Sequence, residues 1–379
     1  MPLSLIEELP KIVKEGRAEV ARILERINSG NALALQTNEL VLPSKDVSGL
    51  YRGEIPSVDE NEEWKNRLIY GDNILVMQGL LAGDSASGLE SMRGKIDLIY
   101  IDPPFDSKAD YRTKITLPNV NLNQKPTVIE QFAYADTWKD GTVSYLKMIY
   151  PRLALMRELL SEKGSIYVHL DWHVGHYVKV LLDEIFGKQN FLHEIVWKRK
   201  FGNAAENRKL GAAYDYLYVF SKSENYIFNP IREKNSQHVQ EYMKTRFTRM
   251  DKDGIHKGRL WMPYPLANPG DATENLVYEY KGYSPPAKGW RMIKEKIEKL
   301  DLEGKIYFPE EKSQRLQEKK FLDEYDGQPI NSLWQDIFVI NSQAKEALNY
   351  ATQKPEQLLE RILKLSSNDK IGKFRLFSI

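Results

Sequence analysis

The spacing of apolar positions changes along the chain, and the changes mark its parts. Residues 3–29 place Leu, Ile and Val at helical spacing, broken by Pro10 and Gly16, which predicts two short amphipathic helices. A polar stretch with Pro and Gly over 42–62 reads as a linker or surface loop. From residue 63 the pattern becomes strand, turn and helix. Leu68–Tyr70 predicts a strand, Gly71–Asp72 a turn, and a helix follows from Asn73. "KIDLIYIDPPF" predicts a second, buried strand with a polar end. "SYLKMIYPRLALMRELLSEKG" predicts a helix stopped by Gly164. "SIYVHLD" predicts a third strand, and "VGHYVKVLLDEIFG" a helix ending at Gly187. "FLHEIVWKR" and "YDYLYVFSK" predict two more strands.

Strands alternating with helices predict an α/β fold with a mostly parallel sheet. In such sheets ligands sit beyond the carboxyl ends of strands. Gly71–Asp72, Asp102–Phe105 and Asp171 all fall at such ends. The rhythm is lost from 222 to 335, apart from a charged helix near 289–303, which predicts an inserted region. Regularity returns over 354–367, with Pro355 suited to a first helical position. The divisions expected are a helical and linker segment (1–62), a core (63–228), an insertion (229–340) and a return to the core (341–379).

Composition narrows this picture. With 379 residues, 42% of them hydrophobic, the chain is long enough for one large core and a smaller unit. Lys and Arg number 54 and Asp and Glu 53, so a nucleic-acid partner requires a local basic face rather than bulk charge. There are no cysteines, which excludes disulfides and thiolate metal sites and favours a cytoplasmic location. No apolar run reaches the roughly 18–20 residues that cross a bilayer, and the first residues lack a signal-peptide core.

The chemistry concentrates at Asp102-Pro103-Pro104-Phe105. An exocyclic amine on a nucleobase is a weak nucleophile because its lone pair is delocalised into the ring. Acceptors aimed at its N–H bonds favour a pyramidal, reactive nitrogen. The Asp102 carboxylate and the Pro103 carbonyl supply such acceptors, the prolines stiffen the turn, and Phe105 can stack on the base. A base inside a duplex has to be flipped out to reach such a pocket. The bland reading is a Pro-rich turn with Asp as its cap, and the buried strand before it weighs against that reading.

This motif after an apolar strand resembles that of the amino-methylating DNA methyltransferases. "LIYGDNILVM", "ADTWKDG", "GSIYVHLD", "EIVWKR" and "TQKPEQLLERIL" are similar to the β class of that family and to the modification subunits of type III restriction systems. The resemblance covers about 64–228 and 350–368. It implies a Rossmann-like sheet dependent on S-adenosylmethionine, with a target-recognition region inserted. It implies methylation of adenine N6 in double-stranded DNA within a restriction-modification system, with N4 of cytosine as the alternative. Carried over by position, Asp102, Pro103, Pro104 and Phe105 are catalytic. Asp72, Thr352, Gln353, Lys354 and Pro355 lie against the cofactor, and Asp171 and Trp197 line the base pocket. Asp72 serves equally well as a helix cap.

The family continues with a strand and an F-x-G-x-G turn that cradles the cofactor, whereas this sequence reads "SSNDKIGKFRLFSI". The sheet is therefore expected to be incomplete at its C-terminal part, with "FRLFSI" as a replacement strand lacking the glycines. A DNA-binding chain without catalysis, or a split enzyme completed by a second chain, are the readings this raises. The partners implied are DNA, a restriction endonuclease subunit, that second chain, or a second copy of this one.

His169, Asp171, His173 and His176 invite a metal or hydrolase reading, but a strand-to-helix junction spreads them, so no metal site is expected. Residues 190–260 carry 14 Lys and Arg against 8 Asp and Glu. Lys198, Arg199, Lys200, Arg208, Lys209, Arg246 and Arg249 are the candidates there for phosphate contact.

Overall fold

The computed structural model describes residues 4–30, 69, 71–83, 90–103, 141–199, 210–341, 344, 346–347 and 353–368. Of 114–117, 120–123 and 376–377 it describes the backbone. The chain divides into two units, Met1–Asn229 with Asn331–Ile379, and Pro230–Ile330.

In chain order, unit 1 begins with α1 (Leu5–Asn28), α2 (Asn73–Ala82), β1 (Ile96–Ile101), β2 (Lys114–Leu117) and β3 (Val120–Asn123). It continues with α3 (Thr142–Leu159), β4 (Leu160–Leu170), α4 (Gly175–Phe186), β5 (Phe191–Lys198) and β6 (Tyr214–Ser221). Unit 2 holds β7 (Arg232–Glu233), α5 (Gln237–Arg246), β8 (Arg249–Met250), β9 (Leu260–Pro265), α6 (Lys294–Leu302), β10 (Ile306–Tyr307), β11 (Gln317–Phe321) and β12 (Gln328–Pro329). The chain returns to unit 1 with β13 (Leu333–Trp334), α7 (Glu356–Ser366) and β14 (Leu376–Phe377).

The main sheet of unit 1 runs β13-β5-β6-β4-β1-β14. It is mostly parallel, as expected, with β6 alone running against the other five strands. β1 is parallel to β4 and β14, and β13 to β5, whereas β6 is antiparallel to both β4 and β5. Ile96, Leu98, Ile99, Tyr100 and Ile101 of β1 are all buried, as expected of a strand covered on both faces. The hairpin β2/β3 is paired separately.

Several expectations are corrected here. α1 is one helix, not two, and runs through Pro10 and Gly16. Gly16 serves packing instead: a Cβ there would lie 2.1 Å from the Tyr150 ring of α3. The α3 helix ends at Leu159 and not at Gly164. β4 starts at Leu160 opposite Ile96, and the ladder then jumps to Leu98 opposite Ser165. Gly164 lies inside that irregularity, where a Cβ would come within 2.8 Å of the Ile96 carbonyl oxygen. Gly187 does end α4, at φ +89°. Pro355 is the cap of α7, one residue before the first helical position. The strand expected at Leu68–Tyr70 lies outside the described residues except for Ile69.

The return to unit 1 comes at Asn331, ten residues before the expected boundary at 341, because β13 pairs with β5 through Leu333–Val196 and Trp334–Trp197. The replacement strand expected in "FRLFSI" is β14, which pairs with β1 through Leu98 opposite Leu376 and Ile99 opposite Phe377. Unit 2 is less irregular than its sequence suggests. It holds an antiparallel sheet, β10-β11-β9-β8, and a small core of Leu266, Tyr280, Tyr283, Trp290, Ile297, Ile306 and Leu316. Among the described residues no helix is long and apolar enough to cross a membrane.

Candidate active site

β1 ends at Ile101, so Asp102 emerges at the carboxyl edge of the main sheet. Its side chain is 20% exposed, and Pro103 behind it is buried. The two carboxylate oxygens differ. Oδ2 accepts from Nζ of Lys354. Oδ1 is buried and has no hydrogen-bond partner. Pro104 and Phe105 lie outside the described residues.

Lys354 comes from the segment that leads into α7. That segment is fixed on Glu346: the Gln353 side-chain amide donates to its carbonyl oxygen (2.7 Å), and the Glu356 N–H donates to its carboxylate (3.0 Å). Thus Lys354 reaches the edge where Asp102 sits, the Gln353 side chain turns to Glu346, and Thr352 lies outside the described residues. Asp72 caps α2, accepting from the N–H groups of Ile74 (3.0 Å) and Leu75 (3.1 Å). The neighbouring Asn73 is held by Arg152 Nε at 2.7 Å.

The structure adds a buried polar array that the sequence reading missed. Tyr100 of β1, His169 of β4 and Asp215 of β6 are 3%, 0% and 1% exposed. The Tyr100 hydroxyl is 2.8 Å from His169 Nδ1, and His169 Nε2 is 3.2 Å from Asp215 Oδ2. Asp215 Oδ1 lies 3.1 Å from Arg199 Nε, and His169 Nδ1 lies 3.9 Å from Asp102 Oδ1. Burial, followed by the charges of Asp102 and Asp215, pushes the Tyr100 phenol well above its ordinary range. The signal available in sequence was three polar groups placed inside otherwise apolar strands, which becomes informative only once β1, β4 and β6 are known to be adjacent.

Other expected residues are placed differently. Trp197 is 1% exposed, donates its indole N–H to the Ile337 carbonyl (2.8 Å), and sets its ring edge-on to His169 at 5.5 Å. It is a core residue behind His169 and shows no open face to a base. Asp171 is buried at the end of β4, with both carboxylate oxygens held by His173, one by its backbone N–H (2.9 Å) and one by Nδ1 (2.7 Å). His173 stacks on Trp172, and His176 meets the edge of Tyr216. Among the described residues no group of His, Asp and Glu is arranged to hold a metal ion.

The basic candidates are scattered. Lys198 closes β5, and Arg199 is turned inward to Asp215. Arg246 lies over Tyr242, and Arg249 lies over Trp261 and Tyr307 on the sheet of unit 2. Lys200, Arg208 and Lys209 fall outside the described residues.

Taken chemically, the end of β1 holds a fixed carboxylate with one buried oxygen that lacks a hydrogen-bond donor. Comparison with known proteins bears on what that donor belongs to. The family profile described as DNA methylase matches residues 96–373. The type II methyltransferase M.EcaI of Enterobacter cloacae is 27% identical over 332 residues, 87% of this chain and 65% of that protein. The Mod subunit of the type III restriction-modification enzyme EcoP15I of Escherichia coli is 25% identical over 344 residues, 78% of this chain and 50% of that protein. The chain thus spans less than two thirds of the length of either relative. A solved complex of M1.HpyAVI with SAM aligns over 45% of this chain and 60% of that one at 14% identity, with a TM-score of 0.24. A match running from the start of β1 to beyond α7 takes in both Asp102 and the Lys354 that holds it, and by that match the chain belongs to the N6/N4 DNA methylase family.

Proposed function

We propose that this chain carries the methyl-transfer centre of a DNA methyltransferase acting on the exocyclic N6 of adenine, with S-adenosylmethionine as donor. The observation that carries this reading is the buried, unpartnered Oδ1 of Asp102 at the carboxyl end of β1, an interior strand of the sheet. An acceptor left unfilled in a partly buried site costs stability, so its retention suits a ligand N–H. The choice of adenine over cytosine follows from the family resemblance, in which Asp in place of Ser opens the motif.

The residues present suit the donor molecule. Lys354 brings a cationic group to the same strand edge as Asp102, with Gln353 and Pro355 beside it in the chain, and in sheets of this kind ligands occupy that edge. Asp72 at the start of α2 is the further candidate. When bound, S-adenosylmethionine supplies an electrophilic methyl group on a sulfonium. Asp102 would receive one N–H of the flipped adenine at Oδ1 and hold the amine in a fixed orientation. Pro103 limits backbone movement beneath the carboxylate. Lys354 holds Oδ2, so the carboxylate cannot rotate freely. The reading places the chain in the cytoplasm with its DNA, and makes a restriction nuclease subunit a natural partner.

The test is methyl transfer from tritiated S-adenosylmethionine to unmethylated genomic DNA, with Asp102→Ala beside the wild type. Transfer should fall about 100-fold or more, while equilibrium dialysis shows cofactor binding retained. Undiminished transfer by the variant would remove Asp102 from the chemistry. Gel-shifted DNA with no transfer by the wild type would leave DNA binding as the activity.

A further inference from the structure

The array behind Asp102 has a cost that packing does not explain. A phenol, an imidazole and a carboxylate are buried where apolar side chains would be cheaper. They join four neighbouring strands, from Asp102 at the end of β1 through His169 and Asp215 to Arg199 at the end of β5.

We propose that Asp215 acts through His169 as a tautomer lock that keeps Asp102 Oδ1 open for the amine of the target base. The inference rests on Asp102 being the acceptor of that amine. It follows from counting protons. The array holds two carboxylates, Asp102 and Asp215, and each faces one cation, Lys354 and Arg199. The imidazole therefore need not be charged. Tyr100 remains a phenol, because burial and the two carboxylates oppose its ionisation. Its O–H needs an acceptor, and His169 Nδ1 is 2.8 Å away. Asp215 accepts from Nε2–H at 3.2 Å. One tautomer satisfies both bonds, protonated at Nε2 and bare at Nδ1.

The consequence reaches Asp102. Its Oδ1 lies 3.9 Å from His169 Nδ1 and has no donor. In the locked tautomer Nδ1 has no proton to give. In the opposite tautomer Nδ1–H would point between Tyr100 and Asp102, and a small shift would fill Oδ1 before any substrate arrived. His169 and Asp215 are thus positioning residues, which set the state of a neighbour and touch no substrate.

The direct test is 15N NMR of the full chain with labelled histidine. The six histidines of the sequence leave a short spectrum, and His169 is assigned by its loss in His169→Gln. The wild type should show the Nε2–H tautomer, and the Nδ1–H tautomer or an imidazolium at neutral pH would overturn the proposal. In Asp215→Asn the side-chain oxygen stays towards Arg199, so the amide NH2 faces Nε2 and the tautomer should invert. The kcat of methyl transfer should then fall about tenfold or more, with KM for DNA and cofactor affinity within twofold. An inverted tautomer with unchanged kcat, in a protein that Asp102→Ala inactivates, sinks the lock alone. Undiminished transfer by Asp102→Ala sinks the underlying assignment of Asp102 as well. Should Asp215→Asn fail to fold, Tyr100→Phe decides: the tautomer stays Nε2–H if Asp215 sets it, and inversion there would overturn the proposal.

Discussion

Unit 1 fills its large core mostly with aliphatic side chains from strand and helix faces, whereas in the small core of unit 2 two tyrosines and a tryptophan are nearly half of the residues. In unit 1 Leu146, Leu153, Leu155, Leu159, Ile166, Val168, Leu181 and Leu182 are fully or almost fully buried. In unit 2 the core is built around Tyr280, Tyr283 and Trp290, with short strands and long connections around them. The polar tips of these rings bind main-chain carbonyls that regular structure would otherwise have to satisfy. Trp290 Nε1 donates to the Tyr278 carbonyl (2.7 Å), the Tyr278 hydroxyl to that of Met292 (2.7 Å), and the Tyr283 hydroxyl to that of Pro309. Burial, with the charges of Glu295 and Glu298 behind it, pushes the Tyr278 phenol up to about 12, so it remains a donor at any physiological pH. Buried aromatics thus pack and satisfy main-chain carbonyls at once, as Trp197 and Trp334 also do in unit 1, but the small core of unit 2 depends on them more heavily.

The most damaging test of that contrast is Trp290→Ala. It empties the centre of the small core and orphans a carbonyl, with an expected loss of about 3–5 kcal/mol. Hydrogen exchange read by mass spectrometry should show amides of 230–330 losing protection while those of β1, β4 and β6 keep theirs. Equal loss in both sets would mean that the two cores are not separate.

The contrast also explains what was legible in the sequence. β1 and the second half of β4 follow from their unbroken apolar runs, and α4 from its helical period and the glycine that ends it. Asp102 was legible because an acid and two prolines ending a buried strand have few structural uses. Tyr100, His169 and Asp215 were not, since their meaning depends on strand order, which local pattern does not encode. Gly16 and Gly164 were misread as breakers. Both are places where another group comes too close for a Cβ, the Tyr150 ring in one case and the Ile96 carbonyl in the other. Unit 2 was legible only in the charged helix expected near 289–303 and seen as α6, because β7, β8, β10 and β12 have two residues each and carry no period.

Gly16→Ala sharpens the comparison from the side of unit 1. The added methyl meets the Tyr150 ring, and either α1 lifts from α3 or the ring turns. The expected cost is about 1–3 kcal/mol, as for overpacking in a dense core. It should appear as a lower denaturation midpoint with faster exchange in α1 and α3, and none in the sheet of unit 2. A variant as stable as the wild type would show that α1 packs loosely and that the glycine is incidental.

The smallest effect separates the two units by their acids. In unit 1 Asp336 is held by both guanidinium nitrogens of Arg361, whose side chain is 11% exposed and lies 5.1 Å over the Trp334 ring. The hydrogen bonds from Arg361 hold the Asp336 carboxyl below its usual range, against the opposing effect of burial. A carboxyl whose folded value is depressed contributes stability that is complete above its unfolded value and is lost as pH falls through the folded one. Asp336 is itself 37% exposed, so solvent screening limits the contribution to about 1 kcal/mol or less. In unit 2 Arg259 depresses Asp323 and Glu324 in the same direction, but from the open surface. Salt should therefore erase the unit 2 contribution first. The measurement is the melting temperature of wild type, Asp336→Asn and Asp323→Asn across pH, at low and high salt. The gap between wild type and Asp336→Asn should be flat at neutral pH, shrink below about pH 4, and survive added salt. The Asp323→Asn gap should be smaller and vanish in salt. Equal salt sensitivity would place the Arg361 pair at the surface, and a gap that widens in acid would reverse the assigned direction of the Asp336 shift.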